Sequence, residues 1–316
     1  MQNNTAPNLI LVKTALDKLF DDATIEQATI AKATALDPIL FTQTSAYNAA
    51  VNSSVLGGGG YFQTTTDDVP LVPEANLSAA ALKTSLVYEF LQNMPISRTF
   101  MADQQLDAVS KGVRQRAMAY TASRDRKAYV GTYGSGFTGA NNGTTIDNVP
   151  LFSNSHVNQN GDTVDNLETG ALTDSNLNIM VNSLRTQVNQ AGVVIGWEPK
   201  ALLTPSILHQ TGMSVAKSVL RAGTGNNDLN YFSEMYPGMK VVYSPFLDGV
   251  ASTGTTAYFL VASTNGLMRA EREAFFTELI DWKTQPNDQY LYKMRAREVA
   301  DAIQYDGTVG SNGTTA

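Results

Sequence analysis

The sequence contains no cysteine and only two histidines in 316 residues. The lack of cysteine excludes disulfide bonds, thiolate zinc sites, iron–sulfur clusters and cysteine nucleophiles. Two histidines are too few for a metal centre built from several imidazoles. The sequence also has no Gly-x-Ser-x-Gly elbow and no cluster of paired carboxylates that could offer another catalytic chemistry. We therefore expect no metal, no cofactor and no enzymatic activity.

Charge and long apolar runs are also scarce. Only 16% of the residues are charged, whereas ordinary soluble domains have about 25%. No stretch approaches the roughly 18 apolar residues of a transmembrane helix, and the N-terminus lacks the features of a secretory signal. The net charge of −7 argues against a protein that binds DNA phosphates. The sequence thus predicts a soluble, non-secreted protein with no membrane partner.

Uncharged polar residues take the place of the missing charge. The chain has 33 threonines and 24 asparagines. Such side chains can be covered by another protein at a lower cost than charged ones, since an unpaired charge is far more expensive to bury than a hydrogen-bonded polar group. We interpret this composition as a sign that much of the surface contacts protein rather than water.

The region from 61 to 99 has the pattern of a long β-hairpin. Two β-prone stretches, 61–72 and 82–99, flank a segment with the turn chemistry of Pro73 and Asn76. A two-stranded hairpin of this length cannot bury itself, so it needs a partner surface. The residues before it have helical apolar spacing over 9–20 and 25–36 and are predicted to form an arm that packs on something else.

The clearest helix is predicted over Asp103–Tyr129. Apolar residues recur there at spacings of three and four, with Asp103 as the N-cap and glycines beyond the end. Six basic residues against three acidic ones give this segment a local charge of opposite sign to that of the whole chain. The six bases are Lys111, Arg114, Arg116, Arg124, Arg126 and Lys127.

The second half of the chain alternates between helical and strand patterns. Helices are predicted over Thr173–Gln190 and from Pro205 towards Leu220. A short buried strand is predicted over Ala201–Leu203, and two further strands over Lys240–Tyr243 and Ala257–Ala262.

A final strand is predicted over Tyr290–Val299. Its apolar residues alternate with Lys293, Arg295 and Arg297, so that one face is apolar and the other basic. The Gly/Thr/Ser-rich tail after Gly307 is predicted to be loose.

Two local motifs superficially suggest ligand chemistry. Gly134–Gly139 fits the Gly-x-Gly-x-x-Gly fingerprint, but it follows a helix instead of a strand, so a helix-ending loop is the better interpretation. The stretch after Asn154 lacks the acidic positions of a calcium loop. His156 could act as a general base, although hydrogen bonding within a loop or interface is the more common use of such a histidine.

The helix bases have three alternative uses. They could follow a nucleic-acid backbone, although no aromatic residues are interleaved with them, or they could form a solvated face. Alternatively, they could pair with an acidic element of a neighbouring chain, and Asp67, Asp68 and Glu74 near the hairpin tip are the candidates. We predict these three acids, the six helix bases and the three bases of the last strand as intersubunit contacts.

Several short stretches, in this order, resemble the tailed-phage major capsid proteins of the Hong Kong 97 fold. They are Asp68–Glu74 (DVPLVPE), Ile96–Asp103 (ISRTFMAD), Pro150–His156 (PLFSNSH), Leu203–Leu208 (LTPSIL) and Tyr243–Leu247 (YSPFL). The resemblance covers most of residues 60–305 and is closest to Mu-like major head subunits.

The resemblance implies an α+β fold with named parts. These would be an N-terminal arm at 1–60, an extended β-hairpin loop at 61–102, a peripheral domain with the long spine helix at 103–212 plus 288–316, and an axial domain at 213–287. In that family the arm and the extended loop lie across adjacent subunits, which would give the predicted hairpin its partner surface.

The resemblance also implies a structural function. The protein would assemble with copies of itself, as hexamers and pentamers, into the icosahedral shell that encloses the double-stranded DNA genome of a tailed phage. Implied partners are a separate scaffold protein and a portal protein, with a decoration protein as a further candidate. DNA would be enclosed without sequence-specific binding. The protein would be located in the virion capsid after assembly in the host cytoplasm.

Two other functions stay open from the sequence. A cellular encapsulin shell would share the fold but would enclose a protein cargo instead of DNA. A β-rich tail protein or adhesin would also suit the Thr- and Asn-rich composition, but the long helix predicted at Asp103 argues against it.

Overall fold

A computed structural model of the chain describes residues 13–19, 37–45, 50–57, 78–99, 106–219, 230–249, 256–285, 287 and 289–313. Helices and strands are mixed along these ranges, so the fold is α+β. Two sheets organise the molecule, one of four and one of five strands. No helix among the described residues is both long enough and apolar enough to cross a membrane.

The N-terminal elements are short. Helix α1 covers residues 13–19 and helix α2 covers Asp37–Leu40, followed by strand β1 at Thr42–Ser45. The helical pattern at 9–20 is confirmed over the described residues 13–19. In α1, the buried Leu16 contacts the same apolar cluster as Val113 and Tyr292. The second pattern, at 25–36, lies outside the described residues.

The hairpin differs from its prediction. Strand β2 (Ala50–Gly57) pairs antiparallel with β3 (Ser78–Leu86), and these two strands form a sheet of their own. The single strand predicted over 82–99 is wrong, because the chain changes partner at Val87 and continues as β4 (Tyr88–Ser97) in the four-stranded sheet. The residues of β3 and of β4 are both β-prone, so their sequence pattern runs on without a break. It does not show that the two segments pair with different strands. The strand predicted at 61–72 lies outside the described residues.

The long helix is confirmed. Helix α3 runs over Leu106–Tyr129 and continues as a buried π-helical turn at Val130–Gly134. Val109, Val113 and Ala117 are buried at helical spacing on the sheet-facing side, as the periodicity predicts. The predicted N-cap residue Asp103 lies outside the described residues.

The four-stranded sheet has the order β1-β11-β12-β4. Its centre is a long antiparallel pair, β11 (Leu267–Ile280) and β12 (Gln289–Ala302). Strand β12 contains the predicted strand Tyr290–Val299 with its apolar side buried. Strand β11 was not predicted, because two register shifts between Glu271 and Phe276 interrupt its alternation of apolar and polar residues.

The five-stranded sheet has the order β7-β13-β10-β8-β9. Its strands are β7 (Leu167–Glu168), β8 (Pro199–Thr204), β9 (Lys240–Tyr243), β10 (Tyr258–Ala262) and β13 (Thr308–Ser311). The three short strands of the prediction correspond to β8, β9 and β10. A further two-stranded sheet is formed by β5 (His156–Val157) and β6 (Thr163–Val164).

The prediction of a loose tail after Gly307 is wrong. Strand β13 lies inside the five-stranded sheet, between β7 and β10, and all four of its residues are buried. Gly310 permits this position because the ring of Phe152 lies where a side chain would begin, 2.6 Å from an ideal Cβ. Gly, Thr and Ser residues are typical of a flexible tail. Here the same small residues allow the strand to approach neighbouring backbone and rings closely.

Three helices accompany this sheet, namely α4 (Asp174–Thr186), α5 (His209–Lys217) and α6 (Tyr231–Met235). The Thr173 side chain caps α4 by accepting a hydrogen bond from the Asn176 backbone N–H. Four residues of α4 are buried at helical spacing: Leu177, Met180, Val181 and Leu184.

The predicted domain boundaries stay a prediction, and strand pairs of the described structure cross them. The predicted boundary between 212 and 213 separates β8 from β9, yet these strands pair in parallel with each other. It also assigns β11 and β12 to different domains, although they form the longest strand pair of the described structure. Strands distant in sequence complete each sheet, so a boundary placed along the chain does not coincide with them.

Candidate functional site

The six bases of α3 do not form one continuous surface. Lys127 places its ammonium group 4.0 Å from the centre of the Tyr88 ring, and Arg124 lies within 3.9 Å of Glu298. These two bases therefore interact within the chain. Lys111, Arg114 and Arg126 are exposed.

Arg116 borders the larger of two cavities that helix bases line; Arg124 and Lys127 border one of only about 10 Å³. The larger cavity has a volume of about 350 Å³ and lies between α3 and the strands β4, β11 and β12. The Nε atom of Arg116 is buried and has no hydrogen-bond partner among the described residues. This residue was one of twelve predicted contacts, and only the tertiary structure distinguishes it.

The predicted bases Lys293, Arg295 and Arg297 lie on β12, and acidic residues of both neighbouring strands balance them. Arg295 lies 2.9 Å from Glu89 on β4 and 3.4 Å from Glu273 on β11. Arg297 stands opposite the same two glutamates in the strand register, and Lys293 stands opposite Glu278. The sequence prediction of a basic face missed these acids because β4 and β11 are distant from β12 in sequence.

The three predicted acidic contacts, Asp67, Asp68 and Glu74, lie outside the described residues. Their pairing with bases of another subunit stays a prediction. The part of the hairpin that the structure describes ends at Gly57 on one strand and begins again at Ser78 on the other.

A buried polar cluster attaches this hairpin to the body, and sequence reasoning missed it. Lys83 of β3 donates hydrogen bonds to Asp301 (2.6 Å) and to the backbone oxygens of Ala302 (2.7 Å) and Thr144. Ser85 donates to the other oxygen of the Asp301 carboxylate. Burial raises the pKa of Asp301, and the charge and hydrogen bonds of Lys83 oppose that rise. No local pattern signals a pair whose members are 218 residues apart.

His156 has a structural position. It is fully buried, with Nδ1 2.8 Å from an Asp147 carboxylate oxygen and Nε2 3.1 Å from the Leu151 carbonyl oxygen. Burial acts to raise the pKa of Asp147, but hydrogen bonds from His156 and Thr145 outweigh it and leave the pKa lowered. Both ring nitrogens are occupied by the protein itself, so this histidine has no nitrogen available for a substrate.

The glycine motif is filled by the protein. Gly134 ends the π-helical turn, and the Phe152 ring lies 2.7 Å from where a Gly136 Cβ would be. A phosphate group would need this space, so the helix-ending interpretation is correct. Within the described ranges, no three His, Cys, Asp or Glu side chains are grouped so that they could hold a metal ion.

One buried carboxylate near His156 gives a testable pH dependence. Burial raises the pKa of Asp306 to about 7, from 3.8, against a partial opposing effect of His156. The folded state therefore binds a proton that the unfolded state releases between those two values, so stability falls as pH rises from about 4 to 7. Asp306→Asn should remove this loss and raise the unfolding temperature at pH 8, by an amount equivalent to at most about 4 kcal/mol.

The measurement is thermal unfolding at pH 5 and pH 8 for both proteins. Asp162→Asn, which changes an exposed carboxylate nearby, should keep the wild-type difference between the two pH values. An Asp306→Asn protein with the same difference as wild type would contradict the assignment.

Comparison with known proteins adds to this geometry. The family model described as "Phage capsid protein" matches residues 92–311, more than two thirds of the chain. A search of curated proteins gives no match.

Solved structures share the fold at low sequence identity. The capsid protein of Myoviridae phage XM1 has a TM-score of 0.55 at 13% identity, with 89% of this chain and 92% of that chain covered. A protein of the procapsid of bacteriophage JBD30 has a TM-score of 0.52 at 15% identity, with 99% and 77% covered. A virus-like particle from Pyrococcus furiosus has a TM-score of 0.55 at 7% identity, with 94% and 98% covered.

The family match extends from within β4 through α3 to the end of β13. It includes the whole five-stranded sheet and, of the four-stranded sheet, β11, β12 and part of β4. The chain belongs to the phage capsid protein family, and it is a structural major capsid protein.

Proposed function

We propose that this capsid protein has the Hong Kong 97 fold and assembles with copies of itself, as hexamers and pentamers, into the icosahedral head shell of a tailed phage. The observation that carries the proposal is the hairpin β2–β3, which forms a sheet of its own and is attached to the body at one end. A two-stranded hairpin is marginally stable alone, so a neighbouring subunit is its natural partner. Mu-like head subunits remain the family members that its motifs resemble most.

The parts of the fold follow the sheets. We place the start of the extended loop at β2 rather than at residue 61, which leaves about fifty residues for the N-terminal arm. Helix α3 and the four-stranded sheet would form the peripheral domain. The five-stranded sheet with α4, α5 and α6 would form the axial domain, with β8 and β9 together in it.

Negative-stain electron microscopy of the purified full-length protein tests the proposal directly. We expect closed particles of uniform diameter or, without a scaffold protein, rings and curved sheets of capsomers. A protein that stays monomeric at high concentration and on co-expression with the neighbouring head genes would contradict it.

Charge pairing between the hairpin tip and α3 gives a second test. Reversing Asp67, Asp68 and Glu74 together to lysine should reduce particle yield at least tenfold, because like charges would then meet. Exposed pairs contribute only about 0–1 kcal/mol each, so they would select the register of assembly rather than drive it. Particle yield is measured by sedimentation and microscopy.

Reversal of the helix bases to glutamate in the same protein is the matched control. It should restore particles if tip and helix pair with each other. If the triple tip variant assembles like wild type, the pairing is wrong, while the capsid function itself is unaffected.

The remaining partners follow from the proposed shell. A separate scaffold protein and a portal protein would act during assembly in the host cytoplasm, and a decoration protein could bind the finished shell. The net charge of −7 suits a container that encloses DNA without adhering to it. We propose no enzymatic activity and no cofactor.

The encapsulin alternative is not favoured, because the matching family is one of phage capsid proteins. The fold likeness to the Pyrococcus furiosus particle shows only that such shells share this fold. Nucleic acid inside purified particles would support the phage head, and packaged protein would support the alternative. The β-rich tail or adhesin hypothesis is inconsistent with the 24-residue helix α3.

A further inference from the structure

The chain contains four Asn-Gly dipeptides, with asparagine at positions 142, 160, 265 and 312, and all four lie within the described residues. Asparagine is a chemically labile residue, and most of all before glycine, which has no side chain to obstruct the reaction. The glycine nitrogen attacks the side-chain carbon Cγ of the asparagine, and ammonia leaves with the amide proton. Water then opens the resulting succinimide ring to aspartate or isoaspartate. Each dipeptide is therefore a modification site wherever the fold leaves its reacting groups free to meet.

Three of the four glycines are packed tightly against other backbone. At Gly143, Gly266 and Gly313, a neighbouring backbone oxygen lies where a side chain would begin. Their attacking nitrogens are also occupied as hydrogen-bond donors. The acceptors are the carbonyl oxygens of Ala140 (3.0 Å) and Asp306 (2.8 Å) and the Ser311 hydroxyl (3.2 Å). These nitrogens are held in place by the fold and cannot approach Cγ unless the packing opens.

Two of the asparagines are held at both ends of the side-chain amide. Asn142 donates from Nδ2 to the Ala300 carbonyl oxygen (2.6 Å) and accepts at Oδ1 from the Tyr88 hydroxyl (3.1 Å). Asn265 donates to the Ile39 carbonyl oxygen (2.7 Å) and accepts from the first backbone N–H of β11 (3.1 Å). Rotation of Cγ towards the glycine nitrogen would break the hydrogen bonds at both ends.

Asn160 and Gly161 lie at the tip of the turn between β5 and β6, and this is the one pair of the four in which both residues are exposed. Gly161 has a φ of +86°, and its N–H donates only across the turn, to the Asn158 carbonyl oxygen (3.0 Å). The side chain of Asn160 donates one exposed hydrogen bond, to the Ala191 carbonyl oxygen (3.0 Å). Loop tips open locally at low cost, so water and both reacting groups can meet here.

We propose that Asn160 is a modification site of the folded protein, where the side chain converts with time to aspartate or isoaspartate, while the fold protects the other three Asn-Gly pairs. The glycines cannot be avoided, since three approach backbone too closely for a side chain and Gly161 has a left-handed conformation. The structure therefore protects the labile dipeptides by holding their reacting groups, and it does so least at the exposed turn.

The conversion would weaken a contact between two turns. The turn 158–162 is joined to the turn 189–193 by the Asn160 side chain and by the Gln159 N–H, which donates to the Gln190 carbonyl oxygen (3.1 Å). A carboxylate at position 160 has no proton to donate to Ala191. It also adds a negative charge close to Asp162, because the side chains at 160 and 162 both border Gly192.

Incubation of the full-length protein at neutral pH tests the assignment, with circular dichroism to verify that it stays folded. Peptide mapping by mass spectrometry measures the aspartate and isoaspartate formed at each asparagine. Asn160 should convert at least about tenfold faster than the other three, because a turn tip opens more readily than packed backbone. In guanidinium chloride the four rates should become similar, since only the fold distinguishes the sites. An intact Asn160, another site that keeps pace with it, or the same order of rates in the denaturant would overturn the proposal.

The product variant Asn160→Asp tests the effect on the two turns. Hydrogen exchange of the backbone amides of 189–193 should become about tenfold faster, because the turn loses a hydrogen bond and gains a repulsive charge. Asn154→Asp is the matched control, since it introduces the same charge at another exposed asparagine of the preceding loop, and it should leave this exchange at the wild-type rate. Equal exchange in the two variants would show that the contact does not depend on Asn160 and would overturn the proposed effect.

Discussion

Ending the chain at Gly307 is expected to abolish folding of this capsid protein. The truncation removes β13, which lies between β7 and β10 and buries Val309 in the apolar core of the five-stranded sheet. Two strand pairings and their core contacts would be lost together. The loss is comparable to the whole stability of a typical domain, about 5–15 kcal/mol. Soluble yield, circular dichroism and thermal unfolding measure it.

A matched truncation after Gly313 removes only three residues and leaves β13 complete. It should change the unfolding temperature by no more than about 2 °C. A milder probe is Gly310→Val, which should destabilise strongly because an ideal Cβ there would be 2.6 Å from the Phe152 ring. If the protein ending at Gly307 unfolds like wild type, the central position of β13 is wrong.

Lys83→Met is expected to have the second largest effect, about 3–5 kcal/mol of lost stability. Methionine fills a similar volume but leaves the carboxylate of Asp301 buried without its cation, and the oxygens of Thr144 and Ala302 lose a donor. Removing one member of a buried pair costs more than the pair contributes, because the remaining charge keeps its desolvation penalty. Denaturant unfolding of the full-length protein measures the change.

The double variant Lys83→Met/Asp301→Asn separates pairing from general damage. It should be more stable than Lys83→Met alone, because the unpaired charge is gone. Lys127→Met, at an exposed lysine whose ammonium lies 4.0 Å from the centre of the Tyr88 ring, should cost about 1 kcal/mol or less. The coupling would be contradicted if adding Asp301→Asn to Lys83→Met lowered the stability as much as Asp301→Asn lowers that of the wild type.

The sequence predicts those elements whose own residues carry the pattern. Helix α3 is recognisable because Val109, Val113 and Ala117 face a core at every turn of a long segment. Strand β12 is recognisable because its buried and charged residues alternate from Tyr292 to Arg297. Strand β11 has the same length but contains register shifts that break the alternation, so periodicity does not identify it.

The candidate site could be predicted only as residue types. The sequence identifies a basic helix and a basic strand face, but it does not show that Glu89 and Glu273 neutralise Arg295. It likewise treats all six helix bases as equivalent. The structure distinguishes them, since Arg124 lies near Glu298 and Lys127 near the Tyr88 ring, whereas Arg116 borders the cavity of about 350 Å³.

By itself, the sequence predicted the class of protein from the order of its motifs. It also predicted the elements with a clear pattern of their own, helix α3 first among them. Only the tertiary structure decided which strands pair, that the Gly/Thr-rich tail is a central strand, and which charges are already neutralised. The physical reason is that periodicity reports one face of one element. A strand partner or a counter-ion, such as Asp301 for Lys83, is supplied by residues far away in the chain, and nothing local to either residue records it.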